Sequence, residues 1–217
     1  ASPAANATST AALFPAQLAA LAGLREHLSG QRNLCFALLT VGTVGGLVGA
    51  WLLTATPSAV FDRLVPGLIL LATLLFLLQE PLAKRRSRMG ESGPQAVRWS
   101  VGTIGFLCMV AVYGGYFGAG IGILTLVALG ALGVRDIHRM NALKAVFTLG
   151  ANGVATAVFV ARGLSDLSVS APMAVAAAAG GFCGARFGKR IGGRNVRRIV
   201  VGVGFVLAIV QMVRLMR

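Results

Sequence analysis

One face of an otherwise apolar segment carries four regularly spaced polar residues. They are separated by 3, 4 and 4 positions, so a helix would align them on one side. Amide and ionisable groups within an apolar segment are costly to bury and are typical of a functional interior. The cation in this stripe would attract an anion directly. The four residues are Asn141, Lys144, Thr148 and Asn152.

A second feature is the stretch YGGYFGAGIGILT, residues 113–125. Glycine accepts positive φ and leaves N–H groups open to a ligand, and irregular backbone within a membrane must line a cavity or be buried in protein. A half-helix that begins near residues 120–122 would direct free donors and a positive dipole towards an anion. The glycines that would form this backbone are Gly114, Gly115, Gly118, Gly120 and Gly122.

Each of these residues also has a simpler interpretation. The glycines at 114, 118 and 122 follow the small-xxx-small spacing of closely packed helices. Lys144 could lie just past the membrane interface and extend to lipid headgroups. For Asn152 and Gln17, hydrogen bonding between helices is an alternative to ligand contact. The sequence alone leaves these alternatives open.

The composition places the chain in a lipid bilayer. Of its 217 residues, 56% are hydrophobic and only 12% are charged, whereas about a quarter of a soluble domain is charged. The net charge of +14 comes from 20 Lys and Arg, mostly in short runs between apolar segments, which is typical of cytoplasmic loops rather than of a nucleic-acid-binding surface. We therefore predict a membrane protein that binds no nucleic acid.

Apolar length and loop charge predict the topology. A span needs about 20 apolar residues. The segment 99–132 is too long for one upright span, so we predict two short half-helices around the glycines, as a re-entrant or broken pair. The basic connectors 80–98 and 186–198 should face the cytoplasm. The other predicted spans are 5–24, 34–55, 61–79, 141–161, 168–187 and 197–215.

The chain also repeats itself faintly. A shift of 135 residues carries 6–78 onto 141–213 without a gap. The polar stripe then has a counterpart at Asn6, Ser9, Leu13 and Gln17, with three of four positions polar. The loop charges put the basic connector 186–198 in the cytoplasm and its repeat partner, around 51–63, outside. The two halves are therefore predicted to be inverted repeats, the plan of many secondary transporters.

The predicted units are a first repeat at 1–80, a basic cytoplasmic linker at 81–98 and a second repeat with the glycine hairpin at 99–217. The first repeat has no glycine hairpin. Because the chain begins with Ala rather than Met, we expect that an N-terminal hairpin is missing from it.

Chemistry other than transport has little support. Cys35, Cys108 and Cys183 lack metal-ligand spacing and are predicted to be packing residues. The spans hold no paired carboxylates or pairs of nucleophile and base. We predict no enzymatic activity, no metal and no cofactor.

The sequence at 114–147, GGYFGAGIGILTLVALGALGVRDIHRMNALKAVF, resembles the sulfite exporter TauE/SafE family of membrane transporters. The start of the chain, ASPAANATSTAALF, is similar to the matching stretch of the family's first half. The resemblance implies transport of sulfite, sulfonates or related organic anions. By position it implies a site with the five glycines as re-entrant backbone and a polar lining of Asn6, Thr8, Ser9, Asn141 and Lys144.

The sequence therefore predicts an all-α polytopic protein of the bacterial inner membrane. Its predicted function is secondary transport of a small anion by alternating access. Gln17 and Asn152 complete the predicted site. A non-transporting assembly or structural subunit is the alternative function, and homo-oligomerisation stays open.

Overall fold

The computed structural model describes the backbone of residues 3–88, 99–191 and 193–216, and the side chains of 3–77, 99–180 and 201–213. Every regular element in that part of the chain is helical, which confirms the all-α prediction. A short 3₁₀ turn, Arg25–Leu28, follows the first helix. The α-helices are α1 Pro3–Leu24, α2 Arg32–Ala55, α3 Ser58–Arg88, α4 Val101–Tyr116, α5 Ile121–Ala131, α6 Ile137–Ala161, α7 Leu167–Ile191 and α8 Gly193–Met216.

Four segments in the described part of the chain are long and apolar enough to cross a membrane. They are Pro3–Leu28, Arg32–Ala55, Ser58–Leu77 and Ile137–Ala161. The predicted spans at 168–187 and 197–215 run partly through residues 181–200, whose side chains lie outside the described set. Their described parts, Leu167–Gly180 and Val201–Val213, are shorter apolar helices.

Several helices extend beyond the predicted spans. α6 begins at Ile137 rather than at 141, because the Asp136 side chain caps it by accepting a hydrogen bond from the Arg139 amide at 2.6 Å. The predicted connector 186–198 is wrong in its extent, because α7 continues to Ile191 and α8 begins at Gly193. α3 likewise reaches Arg88, inside the predicted linker 81–98. Lys and Arg are good helix formers, so a change from apolar to basic residues does not end a helix.

The glycine-rich segment is broken where the sequence predicts. α4 ends at Tyr116 and α5 begins at Ile121, and residues 117–120, here called the glycine loop, join them. The prediction of two half-helices is confirmed.

α6 is the central helix and packs against α1, α2, α4 and α5. Its contact with α2 is close because α2 presents glycines to it. A Cβ atom at Gly42 or Gly46 would overlap the backbone of Phe147 or Ala151. These α2 glycines therefore serve close helix packing, as their small-xxx-small spacing predicts. Gly184 and Gly188 have the same spacing on α7 and lie outside the described side chains.

The helix boundaries follow the internal repeat. A shift of 135 residues carries Arg32, the start of α2, onto Leu167, the start of α7, and carries Ser58, the start of α3, onto Gly193, the start of α8. The packing is also exchanged between the halves, because α1 contacts α7 while its counterpart α6 contacts α2. The inverted relation of the two halves stays a prediction.

Candidate functional site

The glycine loop takes a conformation that favours glycine at two positions. Gly118 has φ +81° and Gly120 has φ +82°, in the left-handed region, where an L side chain costs about 1–2 kcal/mol. Tyr113, on α4, holds the loop by donating its hydroxyl to the Ala119 carbonyl at 2.6 Å. The loop is thus a defined turn tied to the preceding helix.

Three backbone amides at this turn have free N–H groups. The N–H groups of Ala119, Gly120 and Gly122 donate to no other residue in the described part of the chain. They lie at the N-terminus of the 11-residue helix α5. Free N–H groups at a helix N-terminus, together with the helix dipole, favour a negative charge.

A cavity of about 380 Å³ lies beside this turn, between α1 and α6. We call it the polar cavity. Among the described residues that line it, Lys144 is the only charged one. The glycine loop and the first turn of α5 contribute Phe117, Gly118, Ala119, Ile121 and Gly122. The helices α1 and α6 contribute Asn6, Ser9, Thr10, Leu13, Gln17, Lys144, Thr148 and Asn152.

The polar cavity brings the two polar stripes together. Three α6 positions of the stripe line it, and all four of the matched α1 positions do so as well. Asn141, the remaining stripe residue, lines an adjoining cavity of about 350 Å³ that also includes Gln17, Lys144 and Thr148. Residues 135 positions apart in the sequence therefore share one interior surface.

Lys144 lies next to the start of α5. Its ammonium donates to Asn141 Oδ1 at 3.0 Å, and Asn141 in turn donates its Nδ2 to the Ile137 carbonyl at 2.9 Å. The side chain passes over Gly122, where a Cβ atom would be 3.4 Å from Lys144 Cδ. An ammonium has three donors. Asn141 therefore orients Lys144 and leaves donors for a ligand.

Asn152 is a buried polar side chain with an unused acceptor. It is 6% exposed, and its Oδ1 atom has no hydrogen-bond partner in the described structure. That oxygen lies 3.9 Å from the position of a Cβ atom on Gly118, beside the glycine loop. Gln17 Oε1 is unpartnered in the same way. Leaving a buried polar group unpaired costs about 1–3 kcal/mol, which is typical of a site that a ligand or water completes.

Gly120 does not line the polar cavity but lines a cavity on the α3 side of the glycine loop. Three further predicted residues line none of these cavities. The Thr8 hydroxyl accepts a hydrogen bond from the Asp166 amide at 3.1 Å and joins α1 to the start of α7. Gly114 and Gly115 are buried in α4, where a Cβ atom would overlap the Ile121 side chain or the Gly46 backbone. In the structure these two glycines serve helix packing.

One predicted residue has a further role, and three contributors, Thr10, Tyr113 and Thr148, were not among the predicted site residues. Asn6 has a second contact in addition to lining the cavity, since its Nδ2 donates to the Tyr116 carbonyl at 3.1 Å at the end of α4. Thr10, and Tyr113 with its hydrogen bond to the glycine loop, belong to no spacing pattern that could have identified them in the sequence. Thr148 belongs to the α6 stripe, so its spacing did indicate it.

Comparison with known proteins identifies a family of membrane transporters. The family model described as Sulfite exporter TauE/SafE matches residues 1–210. The chain is also similar to the "Probable membrane transporter protein ORF9" of Sinorhizobium sp., with 26% identity over 186 residues, which covers 85% of this chain and 68% of the relative. No solved structure matches the chain significantly. The described part of the chain has four segments long and apolar enough to span a bilayer, and the family match covers nearly the whole chain. The chain is therefore a multi-pass membrane protein that belongs to the sulfite exporter TauE/SafE family of membrane transporters.

Proposed function

We propose that this chain transports a small anion, such as sulfite, a sulfonate or a related organic anion, across the bacterial inner membrane by alternating access. The observation that carries the proposal is the polar cavity, whose described lining has one charged residue, the cation Lys144, beside free amides at the start of α5. The described lining contains no Asp or Glu, so its electrostatics favour a negative ligand.

The side chains around the cavity supply the remaining contacts. Lys144 offers charge, the loop amides offer fixed donors, and Ser9 offers a hydroxyl from α1. Thr148 lies on the opposite wall, and its hydroxyl donates to the Ala145 carbonyl at 3.3 Å. Such preformed donors replace the water that an oxyanion loses on entering an apolar protein. The site lies between α1 and α6, which are counterparts under the 135-residue shift. A rocking of one half against the other would therefore open the cavity to either side in turn.

The test is uptake of labelled sulfite, sulfate and an organosulfonate into proteoliposomes that contain purified protein. Lys144→Gln should lower flux or apparent affinity about tenfold or more, because a charge-assisted hydrogen bond contributes roughly 1.5–3 kcal/mol. The matched control is Arg162→Gln, which removes an exposed cation at the end of the same helix and should leave flux unchanged.

Two outcomes would contradict the proposal. If the folded Lys144→Gln variant transports the anions as well as the parent protein does, Lys144 does not bind the transported anion. Failure of the folded parent protein to move any of the three anions would favour a non-transporting role in the membrane.

A further inference from the structure

The glycine loop separates the polar cavity from a second cavity of about 500 Å³, which lies among α3, α5 and α8. We call it the apolar cavity. The two cavities share four residues at their boundary: Phe117, Ala119, Gly122 and Lys144. The cation and the free amides at Ala119 and Gly122 are therefore available to a ligand that extends into either cavity.

The second cavity has almost no capacity for hydrogen bonding. Among its described lining side chains, only Lys144 and Thr73 are polar, and the Thr73 hydroxyl already donates to the Ile69 carbonyl at 2.8 Å. The remaining walls offer dispersion contacts, and the cavity is open on the α8 side, where Val203 and Leu207 are each 53% exposed. The principal apolar lining residues are Ile69, Ala72, Phe76, Ile123, Leu126 and Leu207.

Close helix contacts form two sides of this cavity. A Cβ atom at Gly204, on α8, would overlap the Thr73 side chain, so α3 and α8 meet there. On the α5 side, a Cβ atom at Gly120 would be 3.6 Å from Ala72 Cα. The apolar cavity is thus bounded by helix packing next to the one cation of the site.

We infer that the apolar cavity is a subsite for the hydrocarbon body of the transported anion, whose charged group binds at Lys144 and the start of α5. This inference rests on the proposed function and specifies its substrate class as aliphatic or aromatic sulfonates and carboxylates. A bare inorganic oxyanion would gain nothing from an apolar wall, whereas each buried methylene strengthens binding by up to about fourfold.

A membrane lipid has the same chemistry of an anionic group attached to hydrocarbon. We assign the apolar cavity to a soluble anion rather than to a lipid, because Lys144 also lines the polar cavity. There, polar side chains of α1 and α6 extend the hydrogen-bonding surface beyond Lys144. A ligand that carries two long acyl chains could not follow that surface across the protein.

The experiment measures how straight-chain alkanesulfonates, from methanesulfonate to octanesulfonate, compete with uptake of labelled sulfite into proteoliposomes. The half-inhibitory concentration should fall about two- to fourfold for each added carbon until the cavity is filled, and then stop falling. Ala72→Phe should end this gain at a shorter chain. Phe76→Ala enlarges the cavity and introduces no larger side chain that could disturb folding. In this variant the half-inhibitory concentration should keep falling up to longer alkyl chains.

The matched control is Leu71→Phe, which changes the neighbouring, 42% exposed residue of α3 that does not line the apolar cavity. It should leave the chain-length series unchanged. A flat series with normal sulfite uptake would overturn the subsite and leave the proposed function intact. Absence of uptake of every anion by the folded protein would overturn the proposed function itself.

A further arm tests the lipid. The protein is reconstituted in liposomes that contain phosphatidylglycerol with a photoreactive acyl chain. When octanesulfonate is present, Phe76 and Ile123 should not be labelled by this lipid. Persistent labelling at these residues would show that a lipid occupies the apolar cavity and would overturn the inference.

Discussion

Two glycine-rich regions of this protein use the same residue for different physical reasons. On α2, Gly42, Gly45, Gly46 and Gly49 have helical backbone and are buried against other helices. In the glycine loop, Gly118 and Gly120 have positive φ, and a Cβ atom at either position would have no atom closer than 3.4 Å. The first region needs the absence of a side chain, and the second needs the backbone freedom.

The comparison shows that glycine count alone does not identify a site. Gly114 and Gly115 lie in the same short stretch as the loop glycines, yet they behave like the glycines of α2, because α2 and α5 press against them. A substitution separates the two uses. Added volume should matter most in the packed region, whereas backbone strain and lost ligand contacts should matter most in the loop.

The largest effect is expected for Gly46→Ala. The new Cβ atom would be 2.5 Å from the Ala151 carbonyl oxygen, and two packed backbones cannot yield as a flexible side chain would. We expect the free energy of unfolding to fall by about 1–3 kcal/mol or more. Thermal unfolding of the detergent-solubilised protein, followed by size-exclusion chromatography, measures this change. An unaltered melting temperature would mean that α2 and α6 are not in close contact.

A smaller loss of stability is expected for Gly120→Ala. An L residue at φ +82° costs about 1–2 kcal/mol, and relief of that strain would move the free amides at the start of α5. Anion uptake should therefore fall together with the melting temperature. Gly120→Asn is the matched variant, because Asn tolerates this region better than Ala does, and it should recover part of the stability. Equal losses in both variants would point to crowding rather than to backbone conformation.

Gly122→Ala should change binding more than folding. The backbone there is helical, and the added methyl group would contact Lys144 Cδ at 3.4 Å, an ordinary van der Waals distance, and would fill space in the cavity beside the lysine. We expect the free energy of unfolding to change by less than about 1 kcal/mol. The concentration of half-maximal uptake should rise roughly twofold to tenfold, comparable to one weakened hydrogen bond. Uptake identical to that of the parent protein would show that the ligand does not depend on this position of Lys144.

The smallest effect is expected for Gly105→Ala, on the exposed face of α4. No described atom lies within 4 Å of the position of its Cβ atom. Because Ala loses less backbone entropy in a helix than Gly does, stability should rise by about 0.5–1 kcal/mol with unchanged uptake. A destabilised protein would indicate that this face of α4 is covered in the membrane.

Local patterns were sufficient to predict much of this architecture. The break near residues 117–120 followed from apolar length and glycine density, and the stripe from Asn141 to Asn152 followed from helical spacing. The helix ends were less predictable. The Asp136 cap starts α6 at Ile137, so that Asn141 lies within its first two turns rather than at its predicted first residue. On α7, basic residues continue the helix to Ile191, beyond its predicted end at 187.

The site itself depended on contacts that no local pattern contains. Thr8 belongs by position to the predicted lining, but its hydroxyl binds the Asp166 amide, 158 residues away. The apolar cavity brings together elements that are far apart in the sequence. The glycine loop lies more than 40 residues after the α3 lining residues and about 80 residues before those of α8.

The amino-acid pattern was sufficient to predict a helical, membrane-embedded chain that is broken at its glycines and carries two matched polar stripes. Periodicity and composition act over a few turns, and they are therefore visible along the chain. Tertiary structure decided which glycines pack and which bend, that both stripes face one cavity, and that Lys144 lies between a polar and an apolar compartment. These outcomes depend on how close distant helices approach, and only the folded chain sets that distance.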